Sequence, residues 1–226
     1  WKDGEGWTNP PPGWGGNGTG SVVDVNTTTV HGGGRSLVFW YDNDGTNYLG
    51  TPDKAYYSEA IANTLELPIG SKDWTAAKAL SLWFYGDPNN DADEQMYVKL
   101  NDGSEVVYDG DAGDVQKAEW QQWNIALSDF GVNLQNVATV CIGFGDENNT
   151  QPGGSGGVYF DDIRLYPSRC VLSQRSDDFA RFDYVEDCVV DYKEVAAMAE
   201  KWLVVVLDPI TITTITVPNS DFEEMY

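Results

Sequence analysis

The sequence predicts a mainly β fold, an antiparallel sandwich or barrel that is followed by a short helix and a terminal β-strand. Eight short apolar runs between residues 36 and 167 are separated by turn residues, with no helical pattern between them. Several of these runs alternate between apolar and polar residues, as strands with one buried face do. A helical pattern occurs only near the C-terminus.

The predicted strands follow one another at modest spacing. In chain order they are SLVFWYDN, AYYSEAIA, ALSLWFYGD, QMYVKLND, SEVVYDGD, EWQQWNIALSDF, VATVCIGFGD and GVYFDDIRLYP. Residues 1–35 are rich in Gly, Pro and Asn, which predicts ordered loop or an incomplete first part of the domain.

Alternation assigns the side chains of three runs to opposite faces of their strands. The inward set is Leu80, Leu82, Phe84, Met96, Val98, Leu100, Trp123, Ile125 and Leu127. The outward set carries aromatic rings beside amides and hydroxyls, which suits sugars that stack through their C–H faces and hydrogen-bond through their edges. The alternative is a second packed layer under loops. The candidate glycan-binding residues are Trp83, Tyr85, Tyr97 and Trp120.

The charge balance excludes some partners. The chain has 226 residues and a formal net charge of −23, whereas phosphate binding needs clustered Lys and Arg. We therefore expect no nucleic-acid partner. The apolar run WLVVVLDPITITTITVP is interrupted by Asp208 and Pro209, so we expect no membrane insertion either. The acidic composition suits a secreted protein, and solubility alone would also explain it.

The three cysteines are interpreted differently. Cys141 lies in the apolar run VATVCIGF and is predicted to be a buried free thiol. Cys170 and Cys188 flank a short polar segment and are predicted to form a disulfide. Closing a loop of about 18 residues would stabilise the fold by roughly 3 kcal/mol. A disulfide in turn predicts an oxidising, extracellular compartment.

Adjacent carboxylates, Asp161 and Asp162, lie within the last predicted strand. Neighbouring side chains of a strand point to opposite faces, so these two acids cannot act together as general acid and base. Asp161 shares parity with Ile163 and Leu165, which predicts an inward carboxylate and therefore a bound cation, most naturally calcium. The alternative is hydrogen bonding to backbone amides. Asp162 is predicted to be ordinary surface.

No enzyme is expected. The single histidine, His31, leaves no basis for a His-containing triad or a Cys/His zinc cluster. No glycine-rich phosphate loop follows a strand and opens a helix. No spacing of acids indicates a glycosidase pair.

Residues 168–203 differ in character from the β region. The segment VVDYKEVAAMAEKWL predicts a helix of about twelve residues, with an apolar stripe at Val195, Met198, Ala199 and Trp202. The segment 204–226 then returns to β character through Ile, Thr and Val. We therefore divide the chain into a β domain at 1–167, a helical segment at 168–203 and a C-terminal strand at 204–226.

The segments DWTAAKALSLWFYGD and VYFDDIRLYP resemble the calcium-bearing jelly-roll carbohydrate-binding modules of families 4, 11 and 22. The resemblance covers roughly residues 20–167. It implies a jelly-roll, galactose-binding-like sandwich with Asp161 as a structural calcium ligand. It also implies a glycan site on a concave face or at loop tips, with the four outward aromatics as candidates.

The segment FDYVEDCVVDYKEVAAMAEKWL resembles one half of a dockerin-like calcium repeat of secreted, planctomycete-type multidomain proteins. The resemblance departs from the pattern at Val185 and Cys188, and only one repeat is present, so the disulfide is an alternative clamp. The side-chain ligands that it implies for calcium are Asp183, Asp187, Asp191 and Glu194, with the carbonyl of Val189.

The two ends of the chain suggest an assembly. The opening strand of such modules, a pattern resembling N-x-x-F-E, is missing near Trp1, and a match occurs in VPNSDFEEMY at 217–226. An incomplete sandwich could accept this segment from a neighbour, with Glu223 or Glu224 near the Asp161 cation. Head-to-tail donation would produce a filament. The alternatives are a tandem module or a tail that folds back.

These observations favour a non-catalytic, extracellular or cell-surface structural module whose partners are copies of itself. The alternative is a glycan-binding module with a polysaccharide partner. The sequence does not name a sugar, because stacking surfaces accept many.

Overall fold

The computed structural model describes residues 1–6, 15–47, 49–52, 54–167, 169–171, 179, 181–184 and 190–206, with the backbone alone at 201–206. The chain forms two compact units, Trp1–Gln174 and Arg175–Tyr226, and each is treated by itself. In the described part, none of the helices is long and apolar enough to cross a membrane.

The first unit consists of two antiparallel sheets. The five-stranded sheet has the order β1-β2-β9-β4-β7, and the four-stranded sheet has the order β3-β8-β5-β6. The strands are β1 (Ser21–Asn26), β2 (Ser36–Asp42), β3 (Tyr57–Asn63), β4 (Ala79–Tyr85), β5 (Met96–Leu100), β6 (Val106–Val107), β7 (Trp120–Ala126), β8 (Thr139–Gly145) and β9 (Ser155–Tyr166). Short 3-10 helices lie at Ala112–Gln116 and Leu127–Phe130.

The strand order is that of a jelly roll. Strands β2-β9-β4-β7 lie in one sheet and β3-β8-β5-β6 in the other, so successive strands repeatedly cross between sheets in two interlocked Greek keys. The predicted antiparallel sandwich is therefore confirmed. All eight predicted strands are present, and β1 is added at the edge beside β2.

The core lies between the two sheets, and alternation predicted it correctly. Every residue of the predicted inward set is buried, from Leu80 in β4 to Leu127 just after β7. Phe39, Phe144 and Phe160 join them, with ring centroids 5.3 to 6.4 Å apart. This apolar layer fixes which side chains of each strand remain outside.

The N-terminal residues cover the outer edge of β3. The backbone groups of Lys2 and Ile61 exchange two hydrogen bonds, at 2.6 and 2.9 Å. Gly20 N donates to Tyr57 O, and Glu59 N donates to Thr19 Oγ1 at 3.0 Å. This edge is therefore already paired and is not free to accept another strand.

The same segment also reaches the five-stranded sheet. Gly4 N donates to Ser21 O at 3.0 Å, and the buried Asp3 accepts a hydrogen bond from Val23 N at 3.1 Å. A side chain at Gly4 would lie 1.9 Å from Thr19 O, so only glycine fits. The N-terminal residues thus join the edges of both sheets.

A β-bulge interrupts β9. Opposite β4, Asp161 pairs with Trp83 and Arg164 pairs with Ser81, which leaves one extra residue in β9. Asp162 has a positive φ of 48°, a conformation that Asp tolerates better than most residues. The bulge reverses side-chain parity, so Phe160 faces the core before it and Ile163 packs against the core after it.

The second unit contains one described helix, α1 (Tyr192–Val206), which is longer than predicted. Val195 and Met198 of the predicted apolar stripe are 62% and 49% exposed. Residues 207–226, which include the proposed donor strand and Phe222, lie outside the described residues.

Cys141 is a buried free thiol, as predicted, and burial raises its pKa. Cys188 lies outside the described residues, so its bond to Cys170 stays a prediction.

Candidate functional site

A row of aromatic side chains crosses the outer face of the five-stranded sheet. In the register of the sheet, Tyr85 of β4 lies opposite Trp120 of β7 on one side and Tyr159 of β9 on the other. The Tyr85 ring centroid is 5.5 Å from that of Trp120 and 6.1 Å from that of Tyr159. All three are half-buried. Their planes are inclined by 59° and 78°, so they do not form one flat surface.

Trp40 of β2 extends this row at the far side. It is 45% exposed, and its indole lies over Gly157 of β9, where an added Cβ would be 3.1 Å from Trp40 Cδ1. A glycine at this position therefore lets the indole lie close to the sheet. A surface groove runs beside Trp40, lined by Val38, Trp40, Tyr159 and Gly157 and by the polar residues Asp87, Asn89, Asn90 and Ser155.

Trp83 lies next to this row but is covered. The imidazole of His31 stacks on the indole of Trp83, with ring centroids 4.0 Å apart and planes 17° from parallel. The same imidazole lies edge-on to Trp120 at 5.5 Å. The loop that carries His31 connects β1 and β2 and folds over the sheet.

The two carboxylates of the bulge hold this loop. Asp161 Oδ2 accepts hydrogen bonds from His31 N at 2.8 Å and Gly32 N at 3.0 Å, and its Oδ1 accepts one from Asp162 N at 2.7 Å. Asp162 Oδ2 lies 2.8 Å from His31 Nδ1, and its Oδ1 accepts from Arg164 at 2.5 Å. The hydrogen bond with His31 and the charge of Arg164 lower the pKa of Asp162.

The prediction that Asp161 faces the core is wrong. The bulge places Phe160 inward and Asp161 on the outer face. Three amide donors surround its carboxylate, which is the alternative that the sequence left open, and calcium ligation by Asp161 stays a prediction. Asp162, expected to be ordinary surface, instead holds His31 and Arg164.

Tyr97 does not belong to the aromatic face. Its strand, β5, lies in the four-stranded sheet, and the side chain is fully buried. Its hydroxyl donates to Glu59 Oε1 at 2.9 Å, and its ring fills the space above Gly143, where a Cβ would meet it at 2.2 Å. The assignment of Tyr97 to a glycan site is therefore wrong. Alternation shows which side chains of a strand share a face, but it does not show which of the two sheets the strand belongs to.

Lys99 is the centre of a charged network beside Tyr97. Its Nζ lies 3.1 Å from Glu147 Oε2 and 3.9 Å from Glu105 Oε1, and it also pairs with Glu59. Burial acts to lower the pKa of Lys99, but the hydrogen bond and charge of Glu59, with help from Glu147, outweigh it and raise the pKa overall. Burial also raises the pKa of Glu105.

The three glutamates of this network could hold a metal ion, since one oxygen of each lies within 4.8 Å of the others. The ammonium group of Lys99 already occupies the same neighbourhood and supplies positive charge. A metal would therefore have to displace Lys99, which forms ion pairs with all three glutamates. Glu105 Oε1, at 3.9 Å from Lys99 Nζ, is buried and has no hydrogen-bond partner within the described residues.

The dockerin-like loop supplies a second set of acids. Asp183 and Glu194 are buried. Glu194 Oε2 accepts a hydrogen bond from Asp191 N at 2.7 Å, while Glu194 Oε1 is buried and has no hydrogen-bond partner within the described part of the chain. Asp191 Oδ1 accepts from Lys193 N at 2.8 Å, so Asp191 and Glu194 form a capping box for α1.

Other predicted ligands cannot be placed. Asp187, Glu223 and Glu224 lie outside the described residues, so their roles stay predictions.

Sequence reasoning missed Trp40, Tyr159 and His31. Trp40 could have been found, because Phe39 and Tyr41 flank it in an alternating run. Tyr159 has the same sequence parity as Ile163 and Leu165, and the bulge between them places it on the opposite, outer face. No sequence signal places His31 on Trp83.

No protein-family model and no curated protein matches this chain. Among solved structures, a family 11 carbohydrate-binding module from Clostridium thermocellum in complex with a β-1,3-1,4-mixed-linked tetrasaccharide is similar at 14% identity and a TM-score of 0.42, over 66% of this chain and 85% of that one. A family 30 carbohydrate-binding module is 14% identical with a TM-score of 0.41, over 69% and 77%.

A β-1,2-glucanase from Parabacteroides distasonis is also similar, at 16% identity and a TM-score of 0.45. The match covers 66% of this chain and 22% of the glucanase.

Proposed function

We propose that the first unit binds an uncharged polysaccharide chain along the row Trp120–Tyr85–Tyr159–Trp40, without catalysing a reaction on it. The observation that supports this is the row itself, four aromatic side chains on neighbouring strands that are neither covered by another layer nor part of the core. Exposed aromatics grouped in this way are characteristic of recognition surfaces.

The shape of the row favours a single chain over a flat crystalline surface. The rings are inclined to one another and border a groove, so they can contact successive sugars on different sides. Asp87 and Asn89 line this groove, are exposed, and supply hydrogen-bonding groups for sugar hydroxyls.

The charge of the protein favours a neutral ligand. A net charge of −23 repels anionic polysaccharides. Asp161 and Asp162 on the same face are engaged by the His31 loop, which leaves neither free for acid–base chemistry. A neutral polysaccharide also fits the extracellular or cell-surface location that the sequence predicts.

The experiment is calorimetric titration with a panel of soluble neutral glycans: β-glucans, xylan, mannan and arabinan. Trp120→Ala and Tyr85→Ala should each weaken binding by about 1–3 kcal/mol, the usual cost of losing a stacking aromatic. Tyr192→Ala is the control, since this tyrosine is 77% exposed and lies in the other unit. Equal affinity in all four proteins, or binding to no member of the panel, would refute the proposal.

Head-to-tail assembly through the C-terminal strand is the weaker proposal. The jelly roll already has all eight strands, and the N-terminal residues cover the β3 edge. The proposal now needs another acceptor edge. Removing residues 207–226 and measuring the mass of the particles by light scattering would test it.

Calcium binding in the second unit rests on Glu194 Oε1 near the start of α1, which is buried and has no hydrogen-bond partner among the described residues. Asp183 and Glu194 would hold the ion, which would compensate their buried negative charge. A chelator should lower the melting temperature of the wild type but not of Glu194→Gln. Equal melting temperatures of the wild type with and without chelator would exclude a structural calcium ion.

A further inference from the structure

His31 occupies a stacking position that the aromatic face would otherwise offer to a ligand. Its ring lies 4.0 Å from that of Trp83 and almost parallel to it. This is the arrangement that a sugar ring adopts on an indole, so one face of Trp83 is already taken by the protein. The same imidazole also lies edge-on to Trp120, which pairs with Tyr85 across the strands.

The contact is built by several groups. Two backbone amides of the loop donate to Asp161, and His31 Nδ1 lies 2.8 Å from Asp162 Oδ2. Gly32 allows the loop to lie this close, because a Cβ there would be 2.7 Å from Asp162 Oδ2. Arg164 donates to the second oxygen of Asp162 and keeps that carboxylate oriented.

The position of Trp83 determines what His31 would exclude. Trp83 lies two residues from Tyr85 on the same face of β4, which is about 6.8 Å along the strand. A glycan that follows the aromatic row runs across the strands, so its side branches point along them. A branch that leaves the chain at Tyr85 toward Trp83 would meet the imidazole of His31.

We propose that His31 is a specificity-determining residue that excludes sugar branches on this side of the bound chain. The inference rests on the proposed function, because it presupposes a glycan along the row. The site then accepts a linear chain and discriminates against the same backbone with branches. Trp83, which sequence reasoning assigned to the binding surface, instead holds the imidazole of His31 in place by stacking.

The test compares linear and branched oligosaccharides that share a backbone. Three pairs cover the main neutral classes: cellohexaose with a xyloglucan heptasaccharide, xylohexaose with an arabinoxylan oligosaccharide, and mannohexaose with a galactomannan oligosaccharide. For the pair that binds, the wild type should prefer the linear member. His31→Ala should reduce this preference by about fivefold or more, because the branch gains both space and a stacking partner.

Two further variants identify the cause. His31→Phe keeps a ring on Trp83 and should keep the wild-type preference. In the double variant His31→Ala, Trp83→Ala, the gain for the branched ligand should fall again, because the stacking partner is lost. An unchanged preference in His31→Ala, or an equal gain for linear and branched ligands, would overturn the inference while leaving the proposed function intact. Binding of no oligosaccharide of the three pairs would overturn the inference, and binding to no member of the glycan panel would overturn the proposed function as well.

A measurement on the unmodified protein keeps the inference testable if His31→Ala fails to fold. The ring current of Trp83 should shift the NMR signals of the His31 imidazole protons upfield. A saturating linear oligosaccharide should leave that shift in place. Loss of the shift on binding would show that the ligand displaces His31, which would then be a mobile cover and not an excluding residue.

Discussion

The two outer faces of the sandwich both carry tyrosines near charged groups, yet they differ in what remains available. On the four-stranded sheet, Tyr97 is fully buried, its hydroxyl is bonded to Glu59, and Lys99 pairs with the surrounding acids. On the five-stranded sheet, Tyr85 and Tyr159 keep part of their rings exposed. An outward tyrosine becomes a binding residue only where no charged network closes over it.

The largest expected effect comes from opening the closed face. Lys99→Met should leave Glu59 buried without its cation, which we expect to cost about 3–5 kcal/mol of unfolding free energy. Urea denaturation measures the loss, and the exposed Lys78→Met serves as the control. Glycan affinity of the folded fraction should not change. A loss no larger than that of the control would show that the network does not stabilise the fold.

Tyr97→Phe should have a smaller effect on the same face. The variant removes one hydrogen bond to a buried carboxylate, worth about 1.5 kcal/mol, and leaves Lys99 to pair with Glu59. Unfolding should shift while glycan binding stays constant, with Tyr192→Phe as the control. A change in glycan affinity would show that Tyr97 contributes to glycan binding, and the two faces would then not differ in the way described.

On the open face, Gly157→Ala should disturb binding more than stability. The new methyl group lies 3.1 Å from Trp40 Cδ1, so the indole must move by a few tenths of an ångström. We expect glycan affinity to fall a few-fold, equivalent to less than about 1 kcal/mol. Gly34→Ala is the matched control, since open space surrounds that position. Equal glycan affinities of Gly157→Ala and Gly34→Ala would show that Trp40 does not contribute to binding.

The smallest expected effect is the loss of the Asp162 contacts at low pH. The pKa of Asp162 is lowered in the fold, so its contacts with His31 and Arg164 persist above the ordinary aspartate pKa of about 3.9 and are lost as the pH falls through the lowered value. NMR titration of the Asp162 carboxyl carbon measures the pH midpoint of its protonation. In the Asp162→Asn variant, the signals of the His31 loop should show no transition at that pH. A midpoint at or above the ordinary value would contradict the assigned contacts.

Much of the sandwich could be predicted, because alternation reports burial directly. Leu80, Leu82 and Phe84 show the period of two that a half-buried strand requires, and all three lie in the core. Strand β1 was missed because Ser21–Asn26 is polar at its edge and follows a glycine-rich region.

The site was less predictable, because it depends on contacts between distant segments. Trp83, Tyr85 and Trp120 do share one face, as expected, but the loop at His31 removes Trp83 from it. Tyr97 has the same outward parity and lies on the other side of the molecule.

Carboxylates were the hardest side chains to interpret. Asp161 binds amides where a cation was expected, and Asp191 with Glu194 caps a helix. Oxygen ligands serve amides and cations alike, so residue type alone does not separate the two roles.

The extra residue in β9 decides what a change of length in this strand would do. Asp162→Gly would keep the left-handed backbone and lose only the side-chain contacts of Asp162. Deletion of Asp162 would remove the bulge and restore uniform alternation, with Ile163 and Leu165 still against the core and Arg164 still outside. One missing codon at this position would therefore leave inside and outside in place, whereas an added codon in the regular part of the strand would turn the side chains beyond it to the opposite face.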